Sequence, residues 1–464
     1  MVFSSMVFLW VFLPVVLIVN WLIPQKISNI FLLVFSLLFY AWGEPIYVLL
    51  MLVSILINWI FGLLIERFEA KKLLLAIDIA INLGILGYFK YANMLVQTIN
   101  RIVGNELLPH VNIALPIGIS FFTFQAISYV VDLYRGHYRA QKNVLSLALY
   151  ISFFPQLIAG PIVKYKDIDD QIENRTMSIE KTAEGIRRFI YGLGKKVLIS
   201  NVLGYAVDTI YALPLESLSG VLIWAAVILY TFQIYYDFSG YSDMAIGLGK
   251  MMGFEFLENF NYPYMSSSIR EFWNRWHISL SSWFKEYLYI PLGGNRKGVV
   301  KTYRNLFIVF FLTGLWHGAS NNFIVWGLYH GFFSVIERLG LGNWLKKHNV
   351  IAHIYTFFVV SFGWIFFRVE SVRLGIKIAL RMCMPWMYME SPVHLYEIVD
   401  WQVVIVLILA VLGMGIVQKY TERKEFLRRY RYSILEMLVL IFIMGYSILT
   451  LAANTYNPFI YFRF

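Results

Sequence analysis

The sequence predicts an all-α, polytopic membrane protein. It is a bundle of about ten to twelve transmembrane helices of about 20 residues each, with re-entrant and amphipathic helices among them. Three observations predict it. Hydrophobic residues make up 59% of the 464-residue chain and charged residues only 14%, where a soluble domain carries about 25% charged residues. Apolar runs recur along the chain, centred near residues 14, 38, 57, 82, 122, 152, 198, 228, 313, 329, 360, 409 and 443. The basic residues fall in short loops between those runs, as topology signals do. Several runs are short or broken by Gly and Pro, which is the reason to expect re-entrant segments.

The net charge of +11 is therefore no nucleic-acid signal. The clearest basic loop is 419–432, with six basic and two acidic residues. The first basic residue, Lys26, follows the first apolar run, and no charged leader or small-residue cleavage site precedes it. These features predict an uncleaved start, an outside N-terminus, cytoplasmic loops at Lys26 and 419–432, and, after a last span over 434–452, an outside C-terminus. Cys383 is the only cysteine, so no intrachain disulfide can form. There is no repeat, low-complexity tract or long linker, and the chain reads as one integral-membrane domain, 1–464. The most polar stretch, 164–196, reads as a solvated connector with an amphipathic helix on the cytoplasmic face.

Two polar-aromatic islands interrupt the apolar background. The first, IREFWNRWHISLSSWFKEYLYIPLGGNR (269–296), carries His277; the second, LTGLWHGASNNFIVWGLYHG (312–331), carries His317 and His330. An ionisable group at bilayer depth is costly and reads as a functional site by default. Read as one helix at about 100° per residue, the first island puts Arg270, Asn274, His277 and Ser281 on one narrow face. Trp273, Trp276, Leu280, Trp283 and Tyr287 form the neighbouring face. Such a helix suits an interface or a cavity wall rather than a span, and Pro291 with Gly293-Gly294 ends it. His317 closes an apolar run that begins at Leu306. Its neutral imidazole can accept a proton from a hydroxyl, the unperturbed pKa being about 6.5. A structural hydrogen-bonding role competes with a catalytic one for His317, and for His277 the structural reading leads. His330, thirteen residues after His317, would lie about 220° round a continuous helix. A break at Asn321-Asn322 would bring the two together, but a structural role fits His330 better.

Other motifs are weaker. In YYDFSGYSDMAIG, Asp237 and Asp243 are six apart, on different sides of a helix, so they make a poor metal pair; no His-Cys cluster of metal spacing exists either, and no metal is expected. The two are expected to pair with Arg270 or Arg275 and hold the first island's helix in place. PLGGNRKG (291–298) lacks the ending of a nucleotide-binding P-loop, but its backbone, with Arg296 and Lys297, could greet phosphates; a cytoplasmic turn is the plainer reading. The final PFIYFRF (458–464) offers one hydroxyl, Tyr461, among aromatics, which suits an interfacial anchor.

Together the motifs closely resemble the membrane-bound O-acyltransferase family, in its bacterial polysaccharide branch, which includes the membrane subunit of alginate O-acetylation and peptidoglycan-acetylating proteins. WHISLSSW (276–283), EYLYIPLGGNR (286–296) and GLWHGA (314–319) carry the likeness. MVFSSMVFLWVFLP at the start, LGYFKYAN (86–93), LPIGISFFTFQAISYVVDLYRG (115–136), FPQLIAGPIVKYKD (154–167), YYDFSGYSDMAIGLGKMMGF (235–254) and NFNYPY (259–264) match in order. The likeness covers about 1–368, leaving helices over 400–452 and the tail 458–464 beyond it. It implies helices around a central tunnel, His317 as the catalytic histidine and His277 on the same tunnel wall. Arg270, Asn274, Trp273, Trp276, Trp316, Ser281, Asp237 and Asp243 are the expected lining, with Arg296 and Lys297 near the donor's phosphates. It also implies a multi-pass protein of the bacterial inner membrane with no permanently bound cofactor. The donor would be an acyl thioester, most simply acetyl-CoA. The partner would be an extracytoplasmic SGNH-type, esterase-like protein, and the acceptor a cell-envelope or secreted polysaccharide. The tail resembles the C-terminal motif of a small peptide used in teichoic-acid D-alanylation, which implies an acyl relay through Tyr461. The competing readings are D-alanyl transfer from a carrier protein and, from another class, a lipid-linked sugar transporter without chemistry.

Overall fold

The computed structural model describes residues 1–109, 111–417, 430–453 and 456–460. Five of its helices are long and apolar enough to cross a membrane: Tyr47–Arg67, Lys71–Val103, Gly220–Met251, Asn349–Arg368 and Ile434–Ala453. Shorter apolar helices cover Phe8–Leu22, Gln25–Ala41, Ile119–Tyr134 and Trp401–Ile416. The apolar run near 152 does not give a continuous helix: it ends at Ser152 before a four-residue helical turn, Phe154–Leu157. The run near 198 carries a π turn, Lys195–Ser200, between the helices Ile179–Gly194 and Asn201–Ala212.

The chain forms two compact units, residues 1–189 with 244–257, and residues 190–243 with 258–464. In the first, Phe3, Phe8, Phe12, Phe39 and Phe154 pack ring against ring. Several of its embedded polar groups pair with one another, as a medium without water favours. Asn58 and Asn82 exchange amide bonds at 3.1 Å, Asn82 also donates to Asp78, and Lys90 donates to Ser120 at 3.1 Å. The polar stretch near 164–196 resolves into the helices Tyr165–Asn174 and Ile179–Gly194, both strongly amphipathic.

The second unit holds both islands. Val299–His317 and Asn321–Ile336 form a helical hairpin joined by Gly318, Ala319 and Ser320. Small residues let the two backbones meet: a Cβ on Gly314 would stand 2.2 Å from the Phe323 carbonyl oxygen, and one on Gly327 the same distance from that of Phe310. Asn349–Arg368 and the amphipathic Val372–Cys383 follow.

Candidate active site

The first island is not the single helix that its periodicity suggests. Ile269–Arg275 and Ile278–Phe284 are separate seven-residue helices, and a π turn, Lys285–Tyr289, continues the second. The break is at His277, whose φ of 43° and ψ of 55° place a non-glycine residue in the left-handed region, a conformation that costs on the order of 1–3 kcal/mol and needs support from its surroundings. The support is the segment 259–261. Its backbone lies along the break, with Ile278 N–H donating to the Asn259 carbonyl at 2.9 Å and Asn261 N–H to that of Arg275 at 2.9 Å.

Asn259 also sets the chemistry of His277. Its Oδ1 accepts from the Ser279 backbone N–H at 3.2 Å and the Ser279 hydroxyl at 2.9 Å, and it faces His277 Nδ1 at 3.2 Å. A backbone N–H only donates, so the atom facing it is the oxygen and His277 Nδ1 must carry the proton. Nε2 is then the nitrogen with the lone pair. The Asn259 amide in turn donates to Ser242 at 3.1 Å. His277 sits between two helices too short to span, and burial pushes its pKa down to about 3, so its imidazole is neutral.

An aromatic framework links the three histidines. Trp316 lies between His277 and His317, with ring centroids 5.9 and 5.0 Å away. Trp326 lies between His317 and His330, at 5.0 and 5.2 Å. The hairpin turn after His317 thus achieves what a continuous helix could not. Trp273 reaches His330 at 5.1 Å, and Trp276 packs on Trp364 at 4.9 Å. His330 is fully buried, held against the backbone of Gly363, where a Cβ would stand 2.7 Å from its Nε2. That fits its structural reading.

Beside this cluster is a cavity of about 1150 Å³. Arg270, Trp273, Asn274 and Ser281 line it, so three of the four residues expected on one face do share a surface; His277 is not in the lining, because the break turns it into the protein. Thr313, one helical turn before His317 and on the same stripe, lines it too. Lys285, Arg296, Lys297, Arg338 and Lys346 join Arg270 there, against only Glu271 and Glu337. Arg296 and Lys297 belong to the turn that follows Pro291, held by the Asn305 amide, which donates to the carbonyls of Leu292 and Gly294.

Both acids are spoken for. Glu337 takes the Ile269 N–H at 2.6 Å and the Arg270 N–H at 3.2 Å, capping the short helix from another element. Ser268 caps the same end through the Glu271 N–H at 3.1 Å. Burial pushes the Glu271 carboxyl up, but the N–H and hydroxyl of Ser267 and the Arg275 guanidinium outweigh it and hold the group below its ordinary value.

The expected pairing of Asp237 and Asp243 with Arg270 or Arg275 is not found. Asp237 binds Lys196 at 2.6 Å and Asp243 binds Lys195 at 2.6 Å, while Arg275 turns to Glu271 at 2.9 Å. Two carboxylates six residues apart stand about 9 Å apart along a helix, a span that neighbouring lysines of the π turn cover by splaying. Among the described residues no group of three or more His, Cys, Asp or Glu is arranged to hold a metal ion. Tyr461 lies outside the described residues. Asn259, Glu337 and Lys196 were not singled out from sequence, although Asn259 stands in the NFNYPY stretch. Glu337 had a signal: an acid at the C-terminal end of an apolar helix opposes the helix dipole and implies a partner elsewhere.

A model of the membrane-bound O-acyltransferase family matches residues 135–372. The probable alginate O-acetylase AlgI of Pseudomonas putida is 41% identical over 489 residues, covering all of both chains. The peptidoglycan O-acetyltransferase of Helicobacter pylori is 35% identical over 417 residues, 82% of this chain and 79% of its own. The teichoic acid D-alanyltransferase of Bacillus subtilis is 30% identical over 280 residues, 56% of this chain and 70% of its own. With one relative alike from end to end and the family's model lying over both histidine islands, this multi-pass membrane chain belongs to the membrane-bound O-acyltransferase family and is an O-acyltransferase.

Proposed function

We propose that this enzyme, in the bacterial inner membrane, moves an acetyl group from cytoplasmic acetyl-CoA to an acceptor outside the membrane, for O-acetylation of a cell-envelope or secreted polysaccharide. The observation that carries the donor side is the cavity of about 1150 Å³, with six basic residues to two acidic in its lining. It exceeds the usual 300–1,000 Å³ of small-ligand pockets, and its charge suits a phosphate-bearing thioester. Arg296 and Lys297 would hold phosphates, and Arg270, Asn274 and Ser281 would orient the thioester end. His317 is the general base, and His277, neutral with its lone pair on Nε2, orients the donor or stabilises the developing oxyanion with Asn274.

The relay would run through Tyr461. Its phenol oxygen attacks the thioester carbonyl while His317 takes the proton. The C–S bond breaks, and the thiolate leaves and is protonated as CoA, with acetyl-tyrosine as the other product. Phenol and imidazole differ by about 3.5 pKa units, or about 4.8 kcal/mol, so proton transfer is concerted with attack. A serine of an SGNH-type extracytoplasmic partner would then take the acetyl group and regenerate the phenol. O-acetylase relatives cover 81–100% of this chain and the D-alanyltransferase relatives 51–56%, which favours acetyl over D-alanyl. Membership of an enzyme family disposes of a transporter without chemistry.

The test is His317→Ala, purified beside wild type and followed by release of CoA from acetyl-CoA. Turnover should fall by about 10² to 10⁴ with an unchanged melting curve, and His277→Ala should fall equally or less. Full turnover by folded His317→Ala protein overturns the assignment.

A further inference from the structure

The acyl chemistry proposed above makes no use of the buried Lys196–Asp237 pair. The ammonium and carboxylate meet at 2.6 Å with side chains only 3% and 1% exposed. Burying two charges is costly unless their remaining hydrogen-bonding capacity is filled. An ammonium has three donors. Two go to Asn201 Oδ1 at 2.8 Å and to the backbone carbonyl of Pro458, while the charge faces Asp237 as an ion pair. The other oxygen of Asp237 accepts the backbone N–H of Ile460 at 2.8 Å. The pair therefore reads a C=O and an N–H two residues apart along one chain, the pattern by which a strand edge is recognised.

The neighbouring contacts continue the site. Asn201 donates to the Asn457 side chain at 3.2 Å and the Tyr456 carbonyl at 3.4 Å. Phe459 stacks on Tyr241 with ring centroids 4.6 Å apart and planes at 24°. The Tyr456 hydroxyl donates to Asp208 at 2.8 Å, and Arg368 holds that carboxylate from its other oxygen at 2.8 Å. Phe459 and Ile460 are 6% and 4% exposed.

We propose that Lys196 and Asp237 form a docking site for the segment 456–460, with Asn201, Tyr241 and Asp208 as its walls, and that this site anchors the residues that follow. The purpose assigned to the anchor rests on the Tyr461 relay reading; the docking itself does not.

The experiment is amide hydrogen exchange with mass spectrometry on the purified full chain, read on the peptide that covers 456–460. Two variants open the site from opposite sides. Lys196→Met combined with Asp237→Leu removes both charges without leaving either one buried alone. Ile460→Pro deletes the N–H that Asp237 accepts and leaves the helices untouched. Each should speed exchange across 456–460 by at least tenfold, with peptides from Asn201–Ala212 unchanged. If Ile460→Pro and a folded double variant both exchange as wild type does, the docking site is overturned. Acyl adducts on Tyr461, read by mass in the same samples, test the relay separately. Open tails together with a fully active Tyr461→Phe variant leave the docking standing and remove the relay. Unchanged exchange together with an inactive Tyr461→Phe variant keeps the relay and removes the docking.

Discussion

At the residue scale, the smallest change that separates support from chemistry is at Asn259. Its Oδ1 holds His277 Nδ1 and the Ser279 N–H and hydroxyl, and its own backbone carbonyl caps the break. Asn259→Leu keeps the size and deletes the acceptor that the Ser279 N–H and the His277 imidazole share, at about 1–3 kcal/mol for each bond lost. It also frees His277 to adopt the other tautomer. Asn259→Asp keeps an oxygen in the same place, and Ser242 can donate to its second oxygen. Acetyl-CoA turnover should therefore fall by at least tenfold in Asn259→Leu and stay within a few-fold of wild type in Asn259→Asp. Nitrogen NMR of labelled histidine should report protonated Nδ1 at His277 in wild type and Asn259→Asp alone. Equal turnover in all three proteins would make Asn259 a packing residue and nothing more.

At the scale of elements, the short helix Ile269–Arg275 survives because other elements satisfy its ends. Seven residues alone are too few to hold a helix in water. Glu337 takes two of its free N–H groups and Ser268 a third. Glu337→Ala should destabilise the protein by about 1–3 kcal/mol, seen as a lower melting temperature in detergent, and should raise the KM for donor more than it lowers kcat, since Arg270, Trp273 and Asn274 move with that helix. Glu337→Gln, which keeps one acceptor, should fall between; a variant Glu337→Ala that melts like wild type removes this account. The same helix shows what the sequence made legible. Spacing put Arg270, Asn274 and Ser281 together, and all three line one cavity although a break separates Ser281 from the other two. It misplaced His277, because a left-handed residue supported by a distant asparagine leaves no periodic trace. It also paired Asp237 and Asp243 with arginines of the island rather than with Lys196 and Lys195, since a charge pair inside a bundle is chosen by helix packing and not by separation in sequence. The hairpin was within reach: Gly314, Gly318 and Gly327 flank His317 at the spacing two close helices need, although the break falls at 318–320 and not at Asn321-Asn322, which begin the second helix.

At the scale of the whole molecule, the direction of acyl flow depends on which side of the membrane each loop occupies, and charge makes a definite statement. The stretch 419–432 carries six basic and two acidic residues, the excess that keeps a loop in the cytoplasm. The apolar helix Trp401–Ile416 precedes it directly. At 1.5 Å per residue that helix is about 24 Å long, enough for one crossing of a core that thins to meet it. Residues before 400 then face the outside. Met389 is 77% exposed there, and Cys383 is itself exposed and must be removed first. In a Cys383→Ala background, Met389→Cys and Arg429→Cys form a matched pair for an impermeant thiol reagent added to intact cells. Met389→Cys should label, and Arg429→Cys should label only after the membrane is opened. The reverse pattern would put the basic loop outside and reverse the path from thioester to polysaccharide. Labelling of both in intact cells would mean that Trp401–Ile416 does not cross. With the expected pattern, the span Ile434–Ala453 returns the chain to the outside, which puts segment 456–460 on the side of the proposed extracytoplasmic acceptor.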